Sequence, residues 1–459
     1  MRFVGVACLL ALATAVPAAA SPRLLVGVTE DGLKFEPDVV RRDATAVGVD
    51  AVRITLAWRS GLTSPTSEQR TQLDRATSGA APLRLVLSVF GEQATDAPQA
   101  AAARDEYCEF LGQILSRYSR IRDVAIWNEP NKTLFWQPQF DAQGHSAAPA
   151  AYEALLARCW DVLHAERPDV NVLAPSTAPR GNDRPGAASS VSHSPVRFFE
   201  ELGRAYRASG RDRPIFDTVA HHVHGDSPGE PPWQRHPGRT IAEGDYRRLL
   251  TTLQRAFRGT AQPVPGHCVG GRCASIWYGE TGFETVPDAR KARAYTGEEI
   301  VDAISPAEQA SQLERALEIA YCQPYVEGFF NFLLWDEHRL EGWQSGLYWS
   351  DRTEKPSAHV FRETVRDIRA RRVRCARLRQ QVPHAGAVLG PPRATPAPGP
   401  TTTMTTTTTA TSGSAPEHRP GGGGGLTARV LVPGAVILLL VGIASIALGR
   451  RIRARRNSR

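Results

Sequence analysis

Eight short apolar runs alternate with longer amphipathic stretches between residues 24 and 375, and this alternation constrains the fold more than any other feature. The runs are rich in β-branched and aromatic residues and almost continuously hydrophobic, as expected of parallel strands that are covered on both faces. In chain order they read LLVGV, AVRITLAW, LRLVLSVF, RDVAIWNE, VNVLAPS, FDTVAHHVH, SIWYGE and VEGFFNFLLW. The clearest helix-like segments between them are Pro98–Tyr118, Tyr152–Ala165, Thr240–Phe257 and Pro306–Tyr321.

Eight strands alternating with helices over about 350 residues predict an α/β fold of the (β/α)8 TIM-barrel type. A doubly wound open sheet is the alternative. Such a sheet normally carries a glycine-rich phosphate-binding loop after its first strand, and the segment VGVTEDG lacks that pattern. We therefore expect one barrel domain over residues 21–380.

The two ends of the chain carry the signals of an exported and anchored protein. Residues 1–20 combine Arg2, an apolar run and the triplet Ala18–Ala20, the order found in secretory signal peptides. Residues 429–449 contain an uncharged segment long enough to cross a bilayer as a helix, and a basic tail at 450–459 follows it. The sequence thus predicts a single-pass transmembrane helix, a cytoplasmic tail and an extracellular barrel at the cell membrane.

The segment between the barrel and the membrane helix, residues 381–428, is rich in proline, threonine and glycine. Its composition predicts a disordered stalk, because it contains too few apolar residues to bury a core. Most of the formal charge of +8 comes from the arginines of the basic tail. Little positive charge is left for the barrel, so we expect no nucleic-acid partner.

Six cysteines remain in the exported part once Cys8 leaves with the signal peptide. An even number in an oxidising compartment indicates disulfides. Cys268 and Cys273 enclose a short loop and are expected to pair. In the predicted ring of helices, Cys108 can reach Cys159 and Cys322 can reach Cys375, although six cysteines allow 15 pairings.

Two predicted strands end in a glutamate. The fourth run continues as Trp127-Asn128-Glu129-Pro130, and the seventh ends at Glu280. Functional groups of a TIM barrel collect at the C-terminal ends of the strands, and strands four and seven lie on opposite sides of the ring. One protonated and one ionised carboxyl group that face each other are suited to glycosidic bond cleavage.

With these motifs the chain resembles clan A glycoside hydrolases, retaining TIM-barrel glycosidases, and is most similar to family 39-like members. The resemblance covers about residues 24–369 and rests on Asn128-Glu129-Pro130-Asn131 followed by Phe135-Trp136. It implies that Glu129 is the general acid/base, Glu280 the nucleophile and Asn128 a ligand of the sugar 2-hydroxyl. It further implies that Arg53 holds Glu280 ionised, that His222 is the clan's sixth-strand histidine, and that Trp335 is the platform for the cleaved sugar.

One motif departs from the clan's pattern. Where the clan often has His-x-Tyr, this chain has His222-Val223-His224, so we expect His224 to take the tyrosine's place beside Glu280. A metal site formed by His221, His222 and His224 is a competing idea. Successive strand residues point to opposite faces, which separates His221 from the other two. We therefore expect neither a metal ion nor another cofactor.

Aromatic side chains beyond Trp335 are further candidates for a sugar-binding groove, because aromatic faces stack on apolar sugar surfaces. We expect Trp136 to contact substrate and Trp277, which lies within a strand, to be part of the core. The other candidates are Phe135, Trp233, Trp343 and Trp349. Glu284 is a weaker rival to Glu280 for the role of nucleophile.

The sequence therefore predicts a surface-anchored retaining glycosidase that acts on an extracellular poly- or oligosaccharide. Two alternatives remain open. A non-catalytic glycan-binding or adhesion module would use the same stalk and anchor, and a transglycosylase would use the same covalent intermediate with a sugar acceptor.

Overall fold

A computed structural model describes residues 24–390. Its eight strands form a closed, all-parallel barrel in which every strand pairs with its neighbours in chain order and β8 closes on β1. The strands are β1 (Leu25–Thr29), β2 (Ala51–Trp58), β3 (Arg84–Gly91), β4 (Ile121–Ile126), β5 (Asn171–Thr177), β6 (Thr218–His222), β7 (Ser275–Thr281) and β8 (Val326–Phe332). The predicted TIM barrel is confirmed.

The helices that surround the barrel follow the strands in turn. They are α1 (Pro37–Ala46), α2 (Ser67–Gly79), α3 (Ala101–Arg117), α4 (Ala148–Glu166), α5 (Pro195–Ala208), α6 (Tyr246–Ala256), α7 (Pro306–Cys322) and α8 (Pro356–Arg369), with α9 (Cys375–Gln381) and α10 (Ala385–Val388) after the last strand. The start of α7 has the predicted chemistry: the Ser305 hydroxyl accepts from the Glu308 amide, and the Glu308 carboxylate accepts from the Ser305 amide. The predicted helix at Thr240–Phe257 begins later, at Tyr246, because a short 3-10 turn precedes it.

The apolar residues form two cores. The larger lies between the sheet and the helices, and the smaller fills the barrel interior. The barrel interior contains Ala51, Val86, Ala125, Leu173, Ala220, Trp277 and Phe330. Trp277 stacks on Phe330 at 5.7 Å between ring centroids, which confirms its place in the core.

Three disulfides join the six cysteines of the described residues. Cys108–Cys159 links α3 to α4, Cys322–Cys375 links α7 to α9, and Cys268–Cys273 closes a short loop. All three pairings are confirmed: Cys268–Cys273 is expected from its short loop and the other two from the ring of helices.

The folded chain continues beyond residue 380, where the sequence predicts the stalk to begin. Val388 and Leu389 are fully buried, and Gln323 Nε2 donates to the Val388 carbonyl at 2.7 Å. Residues 381–390 therefore pack on the barrel. The predicted signal peptide, the rest of the stalk, the transmembrane helix and the basic tail lie outside the described residues; within 24–390 no helix has the length and apolarity that crossing a bilayer requires.

Candidate active site

Glu129 lies just beyond the end of β4, where the backbone turns sharply. Trp127 and Glu129 both have positive φ angles, 67° and 37°, a backbone conformation that residues other than glycine rarely adopt. Asn131 holds this turn, since its amide donates to the Ala178 and His193 carbonyls and its oxygen accepts from the Ala178 amide. Asn131 is fully buried, so its role is to shape the loop that carries Glu129.

Glu129 and Glu280 converge on one buried histidine. His222 Nδ1 lies 2.9 Å from Glu129 Oε1 and 3.4 Å from Glu280 Oε2. An oxygen of Glu129 and an oxygen of Glu280 lie within 4.8 Å of each other. The two strand-end carboxylates predicted from the sequence therefore face each other across the mouth of the barrel.

Arg53 binds Glu280 from inside the barrel. Its Nη1 lies 2.5 Å from Glu280 Oε1, and its Nη2 donates to Ser88 Oγ at 3.0 Å and to Asn128 Oδ1 at 3.2 Å. Burial opposes ionisation of Glu280, but its interactions with His222, Arg53 and His224 outweigh burial and hold the pKa of Glu280 well below its usual range. Glu280 is thus an ionised carboxylate at neutral pH.

Ser88 is a site residue that the sequence analysis missed. It lies within β3, is fully buried, and accepts a hydrogen bond from the guanidinium of Arg53. The sequence feature that could have identified Ser88 is that it is the one uncharged polar residue in the apolar run LRLVLSVF. A lone hydroxyl in a strand with both faces covered needs a buried partner.

The three histidines at and after the end of β6, His221, His222 and His224, point in the predicted directions. His221 faces the helices, where its ring nitrogens contact Thr177 Oγ1 at 2.8 Å and the Ile241 carbonyl at 2.7 Å. Burial lowers the pKa of His221 to about 3, which keeps it neutral. His224 is on the catalytic side, with Nε2 3.7 Å from Glu280 Oε2. His221 therefore cannot join His222 and His224 around one ion.

Glu129, His222 and Glu280 also form a group with the spacing of metal ligands. Arg53 makes this an unfavourable place for a dication, because its guanidinium already neutralises Glu280 at 2.5 Å. The donor set therefore fits proton transfer and nucleophilic attack better than it fits metal binding.

Trp136 is not where the sequence predicts it, and Trp335 lies beyond the end of β8 instead of ending that strand. Strand β8 ends at Phe332, and Leu333 turns the chain with a φ of 81°. Trp335 then reaches α1, where its Nε1 donates to Asp43 Oδ2 at 3.0 Å and Arg352 lies 4.3 Å from its ring centroid. Trp136 is fully buried against Trp127 and Tyr152. The substrate-contacting role predicted for Trp136 is wrong, and Trp335 has one face covered by Arg352.

Trp343 is an aromatic side chain that packs against His224, the histidine next to Glu280. Its ring centroid lies 5.1 Å from those of His224 and Phe332, and it is only partly buried. From the sequence it is one of several aromatic candidates, because it lies in the long loop after β8, where no strand period fixes the direction of a side chain.

Glu284, the rival nucleophile, has the opposite electrostatics to Glu280. Burial and the nearby carboxylates of Glu299 and Glu337 raise the pKa of Glu284 to about 8. It is therefore mostly protonated at neutral pH, and a protonated carboxyl group is a poor nucleophile.

No protein-family model and no curated protein sequence matches this chain. Solved structures do. A glucosidase from Croceicoccus marinus is 12% identical, with a TM-score of 0.52 over 77% of this chain and 69% of that one. A GH5 subfamily 18 enzyme from Streptomyces cattleya, solved with GlcNAc, is 18% identical, with a TM-score of 0.50 over 76% and 81%.

A GH39 enzyme from Xanthomonas axonopodis pv. citri is a further match, 17% identical, with a TM-score of 0.47 over 75% of this chain and 67% of that one. At these identities the similarity establishes the fold. The predicted resemblance is confirmed at the level of the fold: the chain has a TIM-barrel fold similar to that of the glucosidase and the GH5 enzyme.

Proposed function

We propose that this protein is a retaining glycoside hydrolase that cleaves O-glycosidic bonds of an extracellular poly- or oligosaccharide. The observation that carries the proposal is the pair Glu129 and Glu280, since one oxygen of each lies within 4.8 Å of one oxygen of the other at the mouth of the barrel. Retaining glycosidases separate their two carboxyl groups by about 5–5.5 Å, whereas inverting enzymes leave a wider gap for water.

In the first step the ionised carboxylate of Glu280 attacks the anomeric carbon. The bond from that carbon to the leaving-group oxygen breaks, and Glu129 gives its proton to this oxygen. The product is an ester between the sugar and Glu280. Nδ1 of His222, 2.9 Å from Glu129 Oε1, leaves the other oxygen of Glu129 free to carry the transferred proton.

In the second step Glu129 acts as a base. It removes a proton from water, the water oxygen attacks the anomeric carbon, and the ester bond to Glu280 breaks. Two inversions at one carbon restore the starting configuration. Asn128 accepts from Arg53 through its oxygen, so its NH2 group remains to donate to the sugar 2-hydroxyl.

The site of action is part of the proposal. A signal peptide, a stalk and a membrane helix, predicted at residues 1–20, 381–428 and 429–449, would hold the barrel outside the cell on a tether. A tethered enzyme of this kind reaches a polymer too large to enter the cell.

Azide rescue on activated aryl glycosides tests the roles of both carboxylates. A panel of 4-nitrophenyl glycosides first identifies a substrate. Glu280→Ala is expected to lose at least about 1,000-fold in kcat/KM, and azide is expected to restore turnover with a glycosyl azide of inverted configuration. Glu129→Ala is the matched control, because azide then attacks the intermediate on Glu280 and gives a product of retained configuration.

Full activity of Glu280→Ala, or a rescued product of retained configuration from that variant, would refute the proposal. Glycan binding without turnover by the wild type would indicate a binding module. Chain-lengthened products, formed in preference to hydrolysis products when an acceptor sugar is added, would indicate a transglycosylase.

A further inference from the structure

Lys132 lies in the same turn as Glu129, just beyond β4. Its backbone amide donates to the Glu129 carbonyl at 2.9 Å, and a bridge to Ser192 joins this turn to the loop between β5 and α5. In the proposed mechanism Glu129 gives its proton to the leaving-group oxygen. Groups around Glu129 therefore face the part of the substrate that departs, and Lys132 is one of them.

The Lys132 ammonium is half-buried and has no partner of its own. Within residues 24–390, no hydrogen bond or ion pair joins Nζ of Lys132 to another group. A charge that is withdrawn from water normally has a counter-charge. The other three lysines of the chain obey this rule, since each has an aspartate oxygen at 3.0 Å or less: Lys34–Asp31, Lys291–Asp351 and Lys355–Asp336.

The charges near Lys132 do not supply a permanent counter-ion. Burial lowers the pKa of Lys132, Glu129 raises it and Arg180 lowers it, so the ammonium lies near both side chains. Arg180 is already balanced by Asp226 at 2.9 Å. Glu129 is neutral while it carries the proton that it donates. In that state the positive charge of Lys132 is left unbalanced.

Phe135 adds an aromatic ring to the same turn. Its backbone amide donates to the Lys132 carbonyl at 3.0 Å. The ring is half-buried and packs edge to face against Phe90, with 5.9 Å between the centroids. An aromatic face suits the apolar surface of a sugar, and an ammonium suits an acidic substituent on that sugar.

We propose that Lys132 is a specificity-determining residue that binds an acidic group, a carboxylate or a sulfate, on the sugar at the leaving-group side of the cleaved bond. This inference rests on the proposed function and narrows its substrate to an anionic glycan. The acidic group supplies the counter-charge that the protein lacks while Glu129 is protonated. A neutral sugar in the same place leaves the ammonium unpaired, which disfavours its binding.

A different role for Lys132 would be to tune the proton affinity of Glu129. Such a role acts on every substrate alike, because each leaving-group oxygen takes its proton from the same carboxyl group. Binding of an acidic group acts on anionic substrates alone. Substrates that differ in the charge of the leaving group therefore separate the two roles.

Three aryl glycosides of the sugar that the 4-nitrophenyl panel identifies test the inference. Their leaving groups are 3-carboxyphenol, 3-sulfophenol, whose sulfonate stands in for a sulfate, and the neutral 3-carbamoylphenol. Lys132→Gln is expected to lower kcat/KM at least about tenfold more for an anionic probe than for the neutral one. Each probe is compared between wild type and variant, so differences in leaving-group acidity cancel. The anionic probe with the larger loss identifies the acid.

Two further variants control for charge and position. Lys132→Arg keeps the positive charge and is expected to recover most of the preference for the anionic probe. Arg204→Gln removes a positive charge from α5, where the Arg204 side chain is 70% exposed, and should change none of the three rates.

Salt tests the same point in the wild type, without any variant. Raising NaCl from about 10 mM to about 500 mM should lower kcat/KM at least about threefold for an anionic probe relative to the neutral one. Equal losses on all three probes in Lys132→Gln, or equal salt dependence of the three, would overturn the inference and leave the proposed function intact. Absence of turnover with every aryl glycoside would overturn the proposed function, and this inference with it.

Discussion

Arg53 and Glu280 form an ion pair across the barrel interior, with 2.5 Å between Nη1 and Oε1 and only 4% and 13% of their side chains exposed. Arg53 lies within β2 and Glu280 near the end of β7, and the two strands are not neighbours in the sheet. The interior of a closed barrel brings such residues together, since alternate side chains of every strand point inward. The pair keeps the proposed nucleophile ionised at acid pH.

Replacing Arg53 by Gln is expected to shift the acid limb of the pH–activity profile to higher pH. Arg53 is one of the positive charges that lower the pKa of Glu280. Its loss raises that pKa, so Glu280 becomes protonated at a pH where the wild-type residue is ionised. The profile of kcat/KM should shift to higher pH, with at least about 100-fold lower activity at pH 5. Arg53→Lys should restore part of the acid limb, and an unchanged limb in Arg53→Gln would contradict the assignment.

Trp343→Ala should weaken substrate binding while Trp335→Ala should not. Trp343 lies beside His224 and Phe332, whereas Trp335 packs over α1 and donates to Asp43. We expect about a tenfold rise in KM for Trp343→Ala, equal to about 1.4 kcal/mol. Trp335→Ala is the control and is expected to lower Tm with KM unchanged. A rise in KM for Trp335→Ala but not for Trp343→Ala would indicate that Trp335 is the sugar platform.

Glu284→Gln should stabilise the protein at alkaline pH. The pKa of Glu284 is raised from 4.5 to about 8 in the folded chain, so folding favours the protonated form. Stability attributable to this group is full below pH 4.5 and falls as the pH rises toward 8. Glu284→Gln should therefore raise the free energy of unfolding at pH 9, by roughly 1–3 kcal/mol, and change it little at pH 4.5. Denaturant unfolding at both pH values measures this, with the exposed Glu314→Gln as control.

The two longer disulfides should contribute more stability than the short one. Cys108–Cys159 spans 51 residues and Cys268–Cys273 spans 5. Closing the longer loop restricts the unfolded chain more, which corresponds to about 4 kcal/mol against about 2 kcal/mol. Paired Cys→Ala variants and denaturant unfolding compare them. Equal losses in the free energy of unfolding would show that restriction of the unfolded chain is not the main source of disulfide stabilisation in this protein.

The number and order of strands can be predicted from the sequence because each strand is a nearly continuous apolar run. Such a run is visible in a few consecutive residues and does not depend on distant parts of the chain. Glu129 and Glu280 are predicted for a related reason: each ends such a run, and the barrel gathers all strand ends on one face. Cys108–Cys159 follows from chain order, since consecutive helices are neighbours in a ring, and Cys268–Cys273 follows from the shortness of its loop.

The path of the chain beyond the strands required the tertiary structure. Leu333 turns the chain after β8, so Trp335 points to α1 and Trp343 enters the site from a later part of the loop. Strand alternation assigns the directions of His221 and His222, but no such period exists in a loop. Local sequence therefore determined the barrel and its two strand-end carboxylates. Long-range packing decided which aromatic ring lies next to His224 at the site.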